Sequence, residues 1–418
     1  MNRRILLKPN ENNLSYTLLV FLFSPLLALI ISLKNYKEVW AKNIVLIFSG
    51  FYGFMFVIGN AGSDINRYKS RFEENLNLDI SLLDYLKLLF KEDKFDFIQP
   101  FLSYFVSCFT SDFRVFLLLI GLIFGFFLSR NIWYVISLVN NKPRWFSILF
   151  ILVFSFIYAI WDINVMRFTL AAHIFFYGVF NVMVRKNNWG YLFALISIFM
   201  HFSFMIALVL FILYKLLGSN FVKIYFVLFI FSFLTSELNL SVVKEQMSIL
   251  PQNLIEKSDD YLNEDYKEKR EELNSNKNFR GKYYQSSLKW SVGILLTFIY
   301  FKRNKETKKQ TNKDTVKNLL GFCLLFLGVF NILSNIPSMN RFQFLSYLFA
   351  FALFYIYFSK LTQKNEIRIV YLVLPLILFY FIVKLRIGLE FTGIFTLLGG
   401  PVTAFFSDND VPLIDFLK

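Results

Sequence analysis

Apolar residues run along this chain in unbroken blocks of about fifteen to twenty, separated by short polar stretches. Soluble helices and strands would show apolar positions at a period of 3.6 or 2 instead. The blocks fall at about 17–33, 43–60, 113–129, 145–160, 165–184, 222–236, 288–301, 318–334, 343–359 and 368–385. About 20 such residues cross a ~30 Å hydrocarbon core as a helix. The pattern therefore predicts an all-α polytopic integral membrane protein, with about 12–13 transmembrane or half-membrane helices in one membrane domain spanning 1–418. Two runs leave alternatives open. Residues 190–216 are apolar apart from His201, Ser203 and a few tyrosines, which fits one long tilted span or two short helices turning at His201. Residues 97–110 are short for a full crossing and read either as a span or as a re-entrant half helix. The first apolar run is long for a signal peptide and has no small-residue cleavage site, so it reads as a retained span.

The polar segments set the topology. Residues 302–317 carry seven Lys/Arg against two acids, which places them in the cytoplasm by the positive-inside rule. The large hydrophilic segment 237–287, with ten acids and eight bases, then lies outside, as does the tail 386–418. Working back through Lys215–Lys223 and Arg185, the Asp162–Arg167 break, His201 and Ser334–Arg341 all reach the outer side if 190–216 is a hairpin. The polar segment 61–96 has eight acids and six bases, and its ISLLDYLKLLF stretch reads as an interfacial amphipathic helix. Asp64 joins the outer group only if 97–110 is a half helix.

Composition narrows the function classes. The chain of 418 residues is 56% apolar and 20% aromatic, with a net charge of +15. Its bases sit in short loops between spans, a distribution that serves topology and contact with anionic lipid, so nucleic acid is not the expected partner. Cys108 and Cys323 lie in apolar runs without metal or redox spacing and read as packing residues. No metal or other cofactor is expected.

Arg167 opens an apolar helix, where a guanidinium costs about 2.5–3.5 kcal/mol if it reaches the bilayer centre. It reads as an anion clamp, because guanidinium matches phosphate oxygens with a fixed fork of donors. The alternatives are snorkelling to the interface or a structural bridge to Asp162. His201 has the side chain whose pKa lies nearest working pH and reads as a general base. His173, mid-span, reads as an interhelical hydrogen bonder. Asp64, with Tyr68 one helical turn on, reads as a base or as a helix-capping aspartate. Arg341 reads as a second anion clamp or as an interfacial anchor at the start of a span. Arg280, Lys282, Tyr283 and Tyr284 form a basic-aromatic cluster that would touch sugar or phosphate, or anchor the chain at the interface. The LLGGP stretch is a turn, lacking the Lys-Ser/Thr of a phosphate loop.

In order, Gly62, Asp64 and Tyr68 in GSDINRY, Arg167 and Ala171 in RFTLA, His201 and Ser203 in MHFS, and Arg341 with Tyr347 in RFQFLSY resemble the motifs of bacterial polysaccharide polymerases of the Wzy/EpsG type. Phe168 and Met200 depart from the family pattern, which has Gln and Phe there. The resemblance implies a glycosyltransferase-type enzyme of a bacterial inner membrane, active in O-antigen or other polysaccharide synthesis. It would move a growing glycan from undecaprenyl diphosphate onto the non-reducing end of a fresh lipid-linked repeat unit at the periplasmic face. Its partners would be those lipid-linked glycans, membrane lipids and a chain-length regulator protein. A glycosyltransferase that decorates a surface glycan from a lipid-phosphate sugar, and a lipid-linked oligosaccharide flippase, are the alternatives. The flippase would show repeated helix halves, which this chain lacks.

Overall fold

The structure is a computed structural model that describes residues 11–59, 64–91, 95–139, 143–234, 278–302, 313–334, 336, 339–359, 364–406 and 410–416. Gly62, most of the 237–287 segment and most of the 302–317 loop lie outside the described residues. Among the described residues the chain is helical, with a single isolated bridge between Gly393 and Pro412. In chain order the helices are α1 (Glu11–Phe23), α2 (Pro25–Lys34), α3 (Ala41–Phe54), α4 (Asp64–Asn75), α5 (Leu82–Lys91) and α6 (Ile98–Ser107). Next come α7 (Phe113–Ile136), α8 (Trp145–Ile157), a 3-10 turn (Ile160–Val165), α9 (Met166–Phe180), α10 (Trp189–Met200), α11 (Phe204–Leu217) and α12 (Val222–Leu234). The remainder are α13 (Phe279–Lys302), α14 (Lys313–Leu333), α15 (Asn340–Phe358), α16 (Lys364–Gly388), and the short α17 (Ile394–Leu398) and α18 (Pro401–Phe405).

Among the described residues six stretches are long and apolar enough to cross a membrane, and α1, α2, α3 and α10 are shorter apolar helices. Large apolar side chains such as Leu19, Leu192, Val209, Val227, Leu372 and Ile382 stay exposed, as expected of helices whose outer surface faces lipid.

Side-chain contacts fix the direction of each helix. α3 and α7 are antiparallel, with Gly53 against Leu117 and Gly121 against Ser49. α9 runs parallel to α7, pairing His173 with Phe124 and Phe180 with Tyr134. α10 returns along α9, with Phe193 on Tyr177 and Gly190 against Gly178. The 190–216 run is thus two helices turning at His201, since the α10 helix ends there with extended backbone (φ −154°). Gly218, at φ +69°, ends α11 and opens the turn into α12. α14 runs parallel to α12 through Ser232 and Asn331, and α13 runs antiparallel to it through Phe226 and Tyr300. α15 runs parallel to α9 (Phe349 on Phe176) and α16 parallel to α8 (Phe381 on Phe156).

One end of the bundle therefore gathers the ends of α3, α8, α10, α12, α14 and α16 with the starts of α7, α9, α11, α13 and α15. Lys34, Lys42, Arg185, Lys186, Lys215 and Lys302 mark the opposite end. α15 is the innermost helix, with almost every residue from Phe342 to Phe358 buried. At ten residues, or about 15 Å, α6 covers only half a hydrocarbon core. The half-helix alternative holds, and α4 with Asp64 lies at the Arg167 end.

Sequence and structure differ at three places among the described residues. The 17–33 block, read as one span, is two helices, because Pro25 opens a new helix that Ser24 caps through the Leu27 amide. Helix α13 starts at Phe279, so residues 279–287 of the segment read as loop are helical; Tyr284 stacks on Tyr380 of α16 and extends the helix beyond its apolar stretch. Cys323 is buried as a packing residue, but Cys108 is exposed at the end of α6, where the half helix has run out of neighbours.

The α3–α7 contact depends on missing side chains. A Cβ on Gly53 would collide with the carbonyl oxygen of Leu117, and backbone cannot move aside as a flexible side chain could. Gly53→Val is expected to lower the thermal unfolding midpoint in detergent, at about 1–3 kcal/mol of overpacking. Gly59→Ala, whose Cβ would meet only the Phe391 ring at 3.7 Å, should leave the midpoint unchanged.

Candidate active site

Two Arg-Phe pairs meet at the end of the bundle opposite Lys34 and Lys215. α9 begins Met166-Arg167-Phe168, and α15 begins Asn340-Arg341-Phe342. The two phenylalanine rings are in contact at 5.2 Å between centroids. Each arginine sits in the first turn of a helix, whose unpaired N–H groups and dipole already favour an anion there. The sequence places the charge at the ends of these two buried helices, where the guanidinium avoids the apolar interior.

Phe168 is the hub of the site and only 4% exposed. Its ring packs edge-on against the His201 imidazole at 5.4 Å and against Phe204 at 5.1 Å. The Arg341 guanidinium carbon stands 5.8 Å from the same ring centre. Phe168 thus fixes His201, α11 and Arg341 relative to one another.

Arg167 is one-third exposed. Its Nε donates to the Tyr68 hydroxyl at 3.3 Å, and its Nη1 donates to Oδ2 of Asp96 at 3.3 Å. Asp96 also accepts from the Phe202 amide, through Oδ1, at 2.5 Å. Phe95 stacks on Phe202 at 4.9 Å. Asp64 pairs with Arg67 one turn along α4. His201 shares a 2.8 Å hydrogen bond between Nδ1 and the Ser203 hydroxyl. Burial, with the Arg167 and Arg341 guanidiniums close by, pushes the His201 imidazole down to about 3 and keeps it neutral.

The structure thus brings Arg167, Tyr68, His201, Ser203 and Arg341 together, with Asp64 on the same short helix as Tyr68. It does not bring Arg280 and Tyr283 to them. Both are exposed on the first turns of α13, where Tyr283 packs on Phe279 and Phe279 on Phe379 of α16. Among the described residues no three His, Cys, Asp or Glu side chains form a cluster suited to a metal ion.

Asp96 was not singled out from the sequence. It hides in the mixed-charge run KEDKFDF, and its only signal is an acid flanked by phenylalanines at the mouth of an apolar run too short to span. Asp162 does not bridge to Arg167. It accepts from Lys384 of α16 at 2.9 and 2.8 Å and caps the Ala159 amide at 2.7 Å. Asp162 and Arg167 are five residues apart across the 3-10 turn, a geometry that turns Asp162 toward α16 and Arg167 toward α4. His173 is fully buried. Its Nε2 donates to the Tyr158 carbonyl at 3.0 Å, and its Nδ1 lies 3.4 Å from the Asn131 amide nitrogen. The Tyr158 hydroxyl in turn donates to the Arg341 carbonyl at 2.8 Å. His173 is an interhelical hydrogen bonder, and its network reaches the start of α15.

The fold and site define a polytopic helical membrane protein with a cation-rich, aromatic-walled site at one end of its bundle. The family model described as the EpsG family matches residues 43–394, from α3 to α17. The chain belongs to the EpsG family, which places it among glycosyltransferase-like proteins of polysaccharide synthesis in membranes. No curated protein and no solved structure matches it.

Lys384 and Asp162 are only 13% and 17% exposed, so losing one partner strands a charge at low dielectric. Lys384→Met and Asp162→Asn are each expected to destabilise the protein by about 3–5 kcal/mol. The double variant should cost clearly less than the sum of the two. Unfolding midpoints of the four proteins in one detergent test this, and strictly additive losses would show that the pair is not coupled.

Proposed function

We propose that this chain polymerises undecaprenyl-diphosphate-linked oligosaccharide repeat units. The growing glycan leaves its lipid diphosphate and is transferred to the non-reducing end of a new lipid-linked unit. The observation that carries the reading is the meeting of Arg167 and Arg341 around His201, through Phe168, in a chain of the EpsG family.

Leaving-group departure from a lipid diphosphate develops negative charge on the phosphate oxygens. Two guanidiniums and two helix N-termini at one place supply fixed positive charge there. The neutral His201, bonded to Ser203, accepts the proton of the attacking acceptor hydroxyl. Burial is the larger cause that holds His201 unprotonated, and a diphosphate beside Arg167 and Arg341 would offset the smaller part that their charges contribute, raising its proton affinity. Asp64 stands on the acceptor side, where a carboxylate suits a sugar; Tyr68 is buried, 4% exposed, and holds Arg167, so it offers no ring face for a sugar to stack on. The basic residues at the far end of the bundle support a cytoplasmic position for that end under the positive-inside rule. The site then opens to the periplasm, or to the exterior, of a bacterial cytoplasmic membrane. Arg280 and Tyr283 fit an interfacial anchor better than a substrate contact, because both stand exposed on another helix. A chain-length regulator would be a separate partner.

A second reading has one observation in its favour. Asp96 adds an acid to Asp64 beside the first outer segment, and a glycosyltransferase using lipid-phosphate sugars to decorate a surface glycan would call for acids there. The size profile of the surface polysaccharide separates the readings. Deleting the gene should collapse the ladder to a single repeat unit. Arg167→Ala should do the same while the protein remains inserted, as expected for a loss of about 10²–10³ in rate when one charge-stabilising donor is removed. His201→Ala should shorten the ladder, and His173→Ala should leave its length near wild type. A full-length ladder from Arg167→Ala would overturn the assignment, and an intact ladder with altered sugar content would favour the decorating enzyme.

A further inference from the structure

Asp96 bonds both to Arg167 and to the turn carrying His201, and its two oxygens do different work. Oδ1 lies 2.5 Å from the Phe202 amide, a short bond reinforced by the stack of Phe95 on Phe202. Oδ2 meets Nη1 of Arg167 at 3.3 Å, whereas a well-formed charge-assisted bond is about 2.7–2.9 Å. The guanidinium is 33% exposed and the carboxylate 22%. The Tyr68 bond to Nε is equally long. Arg167 is thus loosely neutralised, while Asp96 is firmly tied to the backbone of the turn.

We propose that Asp96 is a displaceable internal counter-ion. In the empty site its Oδ2 occupies the face of Arg167 that a lipid-linked diphosphate takes, and it yields that face when the diphosphate arrives. Oδ1 stays on the Phe202 amide throughout, so the His201 turn keeps its place during the exchange. No bond is made or broken in this step; one anion replaces another on the same guanidinium. A diphosphate carries more negative charge than a carboxylate and offers oxygens that match the guanidinium fork, so it wins the exchange. The carboxylate keeps the empty site from holding other anions and sets the affinity for the lipid below its maximum. This inference rests on the reading of Arg167 as a diphosphate clamp.

The test is binding of a short-chain polyprenyl diphosphate to the full-length protein in lipid nanodiscs, compared for wild type and variants. Asp96→Asn retains an oxygen for the Phe202 amide and removes the competing charge. It should tighten binding roughly two- to fivefold, the scale of a partly exposed ion pair. The tightening should vanish in an Arg167→Ala background, and Asp96→Glu, which keeps the charge, should bind within twofold of wild type. Unchanged or weaker binding by Asp96→Asn, with wild-type binding still dependent on Arg167, would overturn the counter-ion proposal and leave the clamp intact. Wild-type binding that does not depend on Arg167 would overturn the clamp itself, and the proposal with it.

Discussion

A guanidinium at the mouth of a membrane helix must find negative charge or water, and much of this structure is arranged around that requirement. Arg167 meets it at the first turn of α9, where Tyr68 and Asp96 reach it from α4 and from the approach to α6. Those two contacts fold the polar segment between α3 and α7 back over the end of the bundle. α6 need not cross, so α3 and α7 can pack as direct neighbours through Gly53 and Gly121. The second Arg-Phe pair, at the start of α15, completes the arrangement because Phe168 and Phe342 pack together.

Around this centre, several polar groups inside the bundle are paired across helices distant in sequence. Asp162 holds Lys384 across 222 residues, and Asn331 links Ser232 to Gln343. The His173–Tyr158 bond closes α9 onto the end of α8, and the Tyr158 hydroxyl reaches α15. Each bond removes an orphaned group that lipid could not solvate. Together they fix the heights at which the helix ends, and hence Arg167, Arg341 and His201, stand.

The apolar blocks made most of this legible beforehand. Block length located the crossing helices, and the polar break at His201 marked a turn that the extended backbone there confirms. Arg167 and Arg341 could be singled out because each is a cation at the start of an apolar run, His201 because it interrupts one, and Tyr68 by its place one helical turn after Asp64. Asp96 was hidden among neighbouring charges, and its importance depends on a helix 71 residues away. Lys384 looked like an ordinary flanking lysine of a late span. Phe168 read as a lost polar group, and only the packing shows that its ring gathers His201, Phe204 and Phe342. Arg280 and Tyr283 were singled out on composition alone, and composition does not say which helix end lies beside which.

The segment between α3 and α7 has a small core of its own, in which Tyr85 stacks on Tyr104 at 4.0 Å and Leu89 packs beside them. That core is separate from the long aromatic interior of the bundle. Substitutions that drift into it therefore change the shape of the roof over the site without disturbing how the spans pack in lipid. Over evolutionary time such a roof can be recut to suit a new glycan while the walls beneath it are inherited unchanged.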